Sequence, residues 1–336
     1  MSAVDAYSGH AGTDPTSPPD RAEERSGDLR WFIGGGALLL AAIVIGASIG
    51  PAGPDWWRVP LALLDRLPLV SIDSGVTDAQ WAIVWKVRMP RVVLGALVGG
   101  MLSIAGASYQ GVFRNPLVDP YLLGAAAGGG LGATIALTVG RSETATWPID
   151  PVPVTAFVFA VATVFTTYLV GAAFTGSRSI AAAGVTLVLA GVAVVSFTSA
   201  IQSFLLLRNL ELVNEVFRWI VGSLSRSTWA DVRLVLPYGV ISTVVLRLHR
   251  RHLDAFRVGD EEAATLGVDI RRTRLLIVIA ATLGTAAVVS VSGLIGFVGL
   301  VVPHVVRLLA GAANRRVLPL SLMGGAAFLI LSLIHI

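Results

Sequence analysis

The side chains that could do chemistry in this 336-residue chain are concentrated in four short motifs. Two contain proline: R-M-P-R at residues 88–91 and R-N-P-L-V-D-P at residues 114–120. A third, D-E-E at residues 260–262, lies inside a loop that is otherwise basic. The fourth, P-H-V-V-R at residues 303–307, ends a glycine-rich apolar segment. None of the four combines a nucleophile with an adjacent base or assembles a set of metal ligands.

The sequence gives little support to catalytic or cofactor chemistry. Cysteine is absent, which excludes disulfides, thiolate metal sites and a cysteine nucleophile. There is no phosphate-binding loop of the G-x-x-x-x-G-K-[ST] type and no H-E-x-x-H motif. His304 has no second histidine or carboxylate nearby, so we expect it to bridge helices as a structural polar group. We therefore predict no enzyme activity, no cofactor and no metal site.

The elements that must position these motifs are membrane-spanning helices. Hydrophobic residues make up 54% of the chain, charged residues 14%, and the mean hydropathy is +0.76. A soluble domain needs a more polar exterior than this composition provides. A helix of about 20 apolar residues crosses the hydrocarbon of a bilayer. We predict an all-α polytopic membrane protein with about nine spans, at residues 31–49, 92–110, 121–139, 152–174, 183–207, 234–248, 275–291, 294–309 and 318–336.

The polar N-terminus differs sharply from the rest of the chain. Residues 1–30 are rich in Ser, Asp, Pro and Gly and contain no apolar run, which predicts a disordered cytoplasmic leader before a transmembrane domain over residues 31–336. A cleaved signal peptide is the alternative, but an acidic leader is a poor start for one. Two further segments, residues 55–69 and 217–224, are predicted to form short helices at the outer surface, where Trp56 and Trp57 suit an interfacial belt.

The basic residues indicate the orientation. The loop at residues 247–274 contains seven arginines, and short loops rich in arginine stay in the cytoplasm. This places the N-terminus in the cytoplasm as well. The other arginines are dispersed over loops on both sides, so no nucleic-acid partner is expected. No carboxylate lies within a predicted span, which argues against an ion-coupled secondary carrier.

The motifs resemble those of the FecCD-type (BtuC-like) permease family of ATP-driven importers. The likeness rests on R-x-P-R at residues 88–91, N-P-L-x-x-P at 115–120, A-x-x-L-G at 263–267 and G-L-x-x-P-H-x-x-R at 299–307. It implies a permease domain that works as a homodimer or with a close paralogue, two ABC ATPase subunits and an extracytoplasmic substrate-binding protein. It also implies a ferric siderophore as substrate, with haem and cobalamin as alternatives. ATP hydrolysis is then expected in a separate chain.

The resemblance also implies roles for particular residues. Arg88 and Arg91 are expected to receive the binding protein, and Asn115, Pro116 and Leu117 to form a cytoplasmic gate. The acidic segment is expected to be the helix that couples to the ATPase, and the glycine-rich segment to be structural. The coupling residues are Asp260, Glu261, Glu262, Ala263, Ala264, Leu266 and Gly267. The structural residues are Gly293, Gly296, Gly299, Pro303, His304 and Arg307.

Two departures from the family pattern stand out. Leu333 lies where the family has an aspartate, and one further spanning helix is expected after Ile336, so we expect a permease of ten helices with an early C-terminus that transports poorly. Thr186 lies where the family usually has a basic residue, just before L-V-L-A-G at residues 187–191.

Overall fold

The computed structural model describes residues 21–50, 54–66, 74–139, 150–175, 180–222 and 224–334, and these segments are helical throughout, joined by turns. The helices, in chain order, are α1 Arg21–Ser48, α2 Arg58–Asp65, α3 Asp78–Ile83, α4 Met89–Phe113, α5 Ala125–Val139, α6 Pro151–Thr175, α7 Ile180–Arg208, α8 Val213–Val221, α9 Trp229–Leu248, α10 Arg250–Phe256, α11 Asp260–Thr265, α12 Ile270–Ser292, α13 Val298–Ala310 and α14 Asn314–Leu333.

Among the described residues, seven helical stretches are long and apolar enough to cross a membrane, and α5 and α13 are shorter apolar helices. Together they coincide with the nine apolar runs, so the prediction of an all-α polytopic membrane protein is confirmed. The helix α1 begins at Arg21, ten residues before its apolar run. Residues 1–20 lie outside the described part of the chain, and a disordered leader there stays a prediction.

The helix α4 is the centre of the bundle. It is continuous with α3 through a π-helical turn at Val84–Arg88, which gives one helical stretch of 36 residues. Pro90 follows this turn and has no backbone N–H to donate, and a π turn is one way in which a helix accommodates such a gap. In the most apolar 18 residues of this stretch 83% of the residues are buried, against 22% for the corresponding part of α7 and 17% for that of α1.

Glycines let two helices approach α4 closely. A Cβ built on Gly106 would lie 1.9 Å from the carbonyl oxygen of Gly299 in α13. One built on Gly99 would lie 2.2 Å from the carbonyl oxygen of Gly325 in α14. Backbones at this separation exclude any side chain, which is how helices associate tightly in a membrane. The small residues of α4 therefore form the surface through which it contacts α13 and α14.

The helix termini gather at two ends of the bundle. At one end, which we call the α11 end, lie the start of α1, the end of α4, the helices α10 and α11, and the start of α14. Contacts hold them together: Asp28 bonds Arg316, and Asp254 accepts from Asn314. At the other end, which we call the α2 end, lie α2, α3, α8 and the start of α9. The short helices α2 and α8 correspond to the two surface helices predicted from the sequence.

Candidate functional site

At the α2 end, Arg88 closes the C-terminus of α1. Its guanidinium donates to the carbonyl oxygens of Ala47 (3.1 Å), Ser48 (2.9 Å) and Gly50 (3.2 Å). The residue is only 8% exposed. The last carbonyls of a helix have no partner within it, and a fork of N–H donors satisfies several of them at once. The predicted outward docking role therefore does not fit Arg88 in this structure, because the bundle uses its charge internally.

Arg91 is more accessible than Arg88. It lies one turn further along α4, is partly exposed, and donates through Nε to the carbonyl oxygen of Leu224 at 3.3 Å. This bond ties α4 to the segment that follows α8. Of the two arginines predicted to meet a binding protein, Arg91 is the one that remains partly exposed at the α2 end.

A polar cavity of about 670 Å³ also opens at the α2 end, between α8 and the ends of neighbouring helices. Charges of both signs line it, so it has no strong preference for one sign of ligand. The charged lining residues are Asp150, Glu215, Arg218, Arg226 and Asp231.

At the α11 end, α4 stops where the second proline motif predicts. Arg114 takes a left-handed conformation, with φ of 51°, and the turn continues through exposed Asn115 and Pro116. The Asn115 side-chain oxygen accepts from the backbone N–H of Leu117 at 2.9 Å, so that oxygen stabilises the turn. Leu117 is 74% exposed. We call residues 114–120 the exit turn; it presents an apolar and an amide side chain at the surface, and their role as a gate stays a prediction.

The acidic segment forms α11, as its carboxylates and glycine predict. Carboxylates in a first helical turn offset the helix dipole. Gly267, with φ of 81°, ends the helix in a Schellman motif, in which Val268 N–H donates to Ala263 (3.2 Å) and Gly267 N–H to Ala264 (2.9 Å). Asp260 and Ala263 are buried and hold α11 to the bundle. The exposed residues of the predicted coupling set are Glu261, Glu262, Ala264, Leu266 and Gly267.

Asp260 makes ion pairs that the sequence analysis did not identify. Both of its carboxylate oxygens accept from Nη2 of Arg274, at 2.9 and 3.1 Å. Nη2 of Arg114 lies 3.7 Å from the same carboxylate. These partners are separated from it by 14 and 146 positions, and no local spacing rule relates them. The pairing joins α11, α12 and the end of α4 in one cluster, which we call the Asp260 cluster.

Only some residues of the glycine-rich segment have the structural role predicted for them. Gly293, with φ of 68°, packs so that a Cβ would lie 2.2 Å from the carbonyl oxygen of Trp219, whereas Gly296 has open space around it. Pro303 lies within α13 and is buried. The prediction that His304 bridges helices is wrong here: the residue is exposed and has no hydrogen-bond partner among the described residues.

Arg307 makes the bridge that was expected of His304. It bonds the side-chain oxygen of Gln110 and donates to the carbonyl oxygen of Ala107 at 3.2 Å. Gln110 in turn donates to the carbonyl oxygen of Leu300 at 3.3 Å. Arg307 lies one turn beyond His304 on α13, and its longer side chain reaches α4, which explains why the bridge uses the arginine.

Two histidines near the α11 end are close but do not form a metal site. The rings of His249 and His252 are 5.3 Å apart, and burial lowers the pKa of His252, with a further decrease from His249. Among the described residues, no group of three or more His, Cys, Asp or Glu side chains has the arrangement of a metal site.

The chain is similar in sequence and in structure to known proteins. The model of the FecCD transport family matches residues 38–336. The chain is 36% identical to the cobalamin import system permease protein BtuC of Halobacterium salinarum, over 90% of this chain and 87% of that one. It is 34% identical to the hemin transport system permease protein HmuU of Yersinia pestis, over 77% and 76%. A solved structure described as an inward-facing conformation of a metal-chelate type ABC transporter matches with a TM-score of 0.74 and 26% identity, over 90% and 89%.

Proposed function

This chain belongs to the FecCD transport family, and from that premise we propose that it forms the membrane pathway for a metal chelate. It is the permease component of an ABC importer, a multi-pass membrane protein and not an enzyme; ATP is hydrolysed by a separate subunit. The family relation leaves no support for the alternative of an ion-coupled carrier, because the named relatives belong to import systems of the ABC type.

We propose a ferric siderophore as the substrate, as the sequence analysis predicts. Relatives named for Fe(3+)-citrate and Fe(3+) dicitrate import, at 31% and 30% identity, support an iron chelate. Cobalamin is the second candidate, because the relative named for cobalamin import is 36% identical over 90% of this chain. Haem is the third, supported by the hemin permease. These ligands are all bulky chelates of one metal ion, and the same permease architecture suits each of them.

The observation that carries the proposal is the pairing of α11 with the exit turn at one end of the bundle. The exposed face of α11 offers two carboxylates, Glu261 and Glu262, and an apolar side chain, Leu266, which is 70% exposed. A short helix of this kind suits a groove on a partner. The exit turn lies beside it through the Asp260 cluster. An ATPase docked on α11 would therefore act next to the point where the pathway leaves the membrane.

We assign the α11 end to the cytoplasm. Exposed arginines are frequent there, as the positive-inside rule predicts for short cytoplasmic loops. They are Arg247, Arg251, Arg257, Arg271 and Arg272. The α2 end then faces the binding protein, and the N-terminus is cytoplasmic.

A second permease copy or a close paralogue completes the pathway. The membrane-spanning helix α7 has only 22% of its apolar window buried, and three of its serines, Ser196, Ser199 and Ser203, are exposed. Polar side chains within a span usually face a protein neighbour or a polar pathway instead of lipid. This supports an arrangement in which α7 meets the partner permease.

The test is ATP-driven uptake in proteoliposomes that contain the permease, its ATPase and its binding protein. Ferric hydroxamate siderophore, cobalamin and haemin are offered separately as labelled substrates. We expect uptake of the siderophore that requires ATP and is insensitive to an uncoupler. Uptake of cobalamin or haemin instead would replace the substrate assignment, and uptake driven by an ion gradient without ATP would contradict the proposed mechanism.

A further inference from the structure

The carboxylate of Asp260 holds two arginines that belong to different parts of the transport machinery. Arg274 lies in the second turn of the helix α12, and Arg114 is the first residue of the exit turn. The Asp260 side chain is 4% exposed, the Arg274 side chain 12% and the Arg114 side chain 38%. One buried carboxylate on the coupling segment therefore contacts both the bundle and the exit turn.

The two ion pairs differ in geometry. Arg274 approaches both oxygens at 2.9 and 3.1 Å, which are the distances of charge-assisted hydrogen bonds. Its guanidinium also lies 5.7 Å from the centre of the Phe256 ring. Arg114 stands further away, at 3.7 Å, and is the more exposed partner. The first contact anchors α11, and the second is loose enough to lengthen or shorten when α11 moves.

The backbone conformation of Arg114 explains how its ion pair with Asp260 can affect the exit turn. Residues other than glycine rarely occupy the left-handed region, because their Cβ then lies too close to the following carbonyl oxygen. Arg114 is one of two such residues among those described, with φ of 51°. It joins the last turn of α4 to the rest of the exit turn, so a change in its backbone redirects Asn115, Pro116 and Leu117 while leaving α4 in place.

We propose that Asp260 is a positioning residue that passes the displacement of α11 to the exit turn through Arg114. The inference rests on the proposed function, in which α11 receives the ATPase and the exit turn closes the pathway. When the ATPase shifts α11, the carboxylate shifts with it and changes its attraction for Arg114. The exit turn then changes conformation at the left-handed residue. Arg274 keeps α11 attached to the bundle during this movement.

A merely structural Asp260 would anchor α11 to Arg274 and have no use for Arg114. The two roles are separated by substitutions at Arg114, because the Asp260–Arg274 pair survives them. Arg114→Gln removes the charge, and Arg114→Lys keeps it. Arg271→Gln is the matched control, since Arg271 is an exposed arginine at the same end of the bundle, in the first turn of α12.

The absence of cysteine from the chain allows single-thiol reporters. Glu261→Cys reports on α11 and Leu117→Cys reports on the exit turn, both at exposed positions. The rate of labelling by a water-soluble maleimide is measured in the assembled transporter, without nucleotide and after trapping with ADP and vanadate. Uptake and ATP hydrolysis are measured on the same variants without the reporters.

We expect both reporters to change their labelling rate with nucleotide in the otherwise unaltered chain, at position 117 by about fivefold or more, the lower range of allosteric coupling factors. In Arg114→Gln the response at position 117 is lost and that at position 261 remains, and ATP is hydrolysed without uptake. Arg114→Lys and Arg271→Gln keep both responses. A retained response at position 117 in Arg114→Gln overturns this inference alone. No response at position 261 in the unaltered chain overturns the coupling role of α11, and this inference with it.

Discussion

At the α2 end of the molecule, Arg88 donates to three backbone carbonyls at the end of one helix, whereas at the α11 end Arg114 and Arg307 contact side chains that belong to other helices. A buried cap on backbone carbonyls has no alternative partner and fixes the helix end. A contact between side chains of separate segments can lengthen, shorten or exchange partners. Arginine therefore forms a rigid joint, a cap on backbone carbonyls, at the α2 end and adjustable joints, contacts with side chains of other segments, at the α11 end. This difference agrees with the proposal that movement begins at the α11 end.

The largest effect is expected from Ala264→Pro in α11. Proline removes the backbone N–H and clashes with the preceding turn, so a helix of six residues does not survive it. Uptake should fall to background while membrane insertion and the unfolding temperature of the purified permease stay close to those of the unaltered chain. Ala264→Ser is the control and should transport normally. A large loss of stability in Ala264→Pro would show that α11 is part of the rigid scaffold.

Arg88→Ala tests the rigid joint. The buried carbonyls of Ala47 and Ser48 and the partly buried carbonyl of Gly50 lose their donor. Leaving a buried carbonyl unsatisfied costs about 1–3 kcal/mol when no water replaces the partner. We expect a strong fall in the unfolding midpoint in detergent, equal in the presence and absence of nucleotide. Arg88→Lys should recover only part of it, because an ammonium lacks the planar fork.

A nucleotide-dependent effect of Arg88→Ala would mean that the α2 end also moves. An unfolding midpoint that does not change would mean that the cap on α1 contributes nothing to the fold, and Arg88 would again be a candidate for docking.

Arg307→Ala tests an adjustable joint and should have a smaller effect on stability, about 1–3 kcal/mol, because Gln110 loses a charge-assisted bond but keeps its own bond to Leu300. The rate of uptake should fall by more than the loss of folded protein accounts for. His304→Ala is the matched control on the same helix, since His304 is exposed and has no hydrogen-bond partner among the described residues. If the two substitutions lowered uptake equally, the contact between Arg307 and Gln110 would have no special role in transport.

Arg91→Glu is expected to have the smallest effect. It reverses the charge of a partly exposed residue at the α2 end, and exposed ion pairs contribute about 0.2–1 kcal/mol. The affinity for the binding protein should fall about two- to fivefold, measured by titration against the permease in nanodiscs. Lys86→Glu makes the same change of charge at an exposed residue five positions earlier and serves as the comparison. An unchanged affinity in Arg91→Glu would leave no arginine of the first motif in a docking role.

The sequence by itself determined the parts of the molecule that depend on near neighbours. The nine apolar helices of the described segments follow from runs of apolar residues, and the end of α4 follows from Pro116, which disfavours helical geometry in the residue before it. The ends of α11 follow from carboxylates in its first turn and Gly267 after its last. Each of these features is decided within a few residues, where the backbone and its neighbouring side chains set the free energy.

Only the tertiary structure decided which side chains meet. Arg88 bonds residues about 40 positions away, Asp260 bonds Arg114 across 146 positions, and Arg307 bonds Gln110 across 197. Nor does composition distinguish the buried helix α4 from the exposed helix α7, whose apolar windows have mean hydropathies of 1.7 and 1.9. In a membrane, lipid and protein neighbours are both apolar, so the same residue types suit either surface. Packing geometry, which depends on small residues facing each other on distant segments, makes the choice.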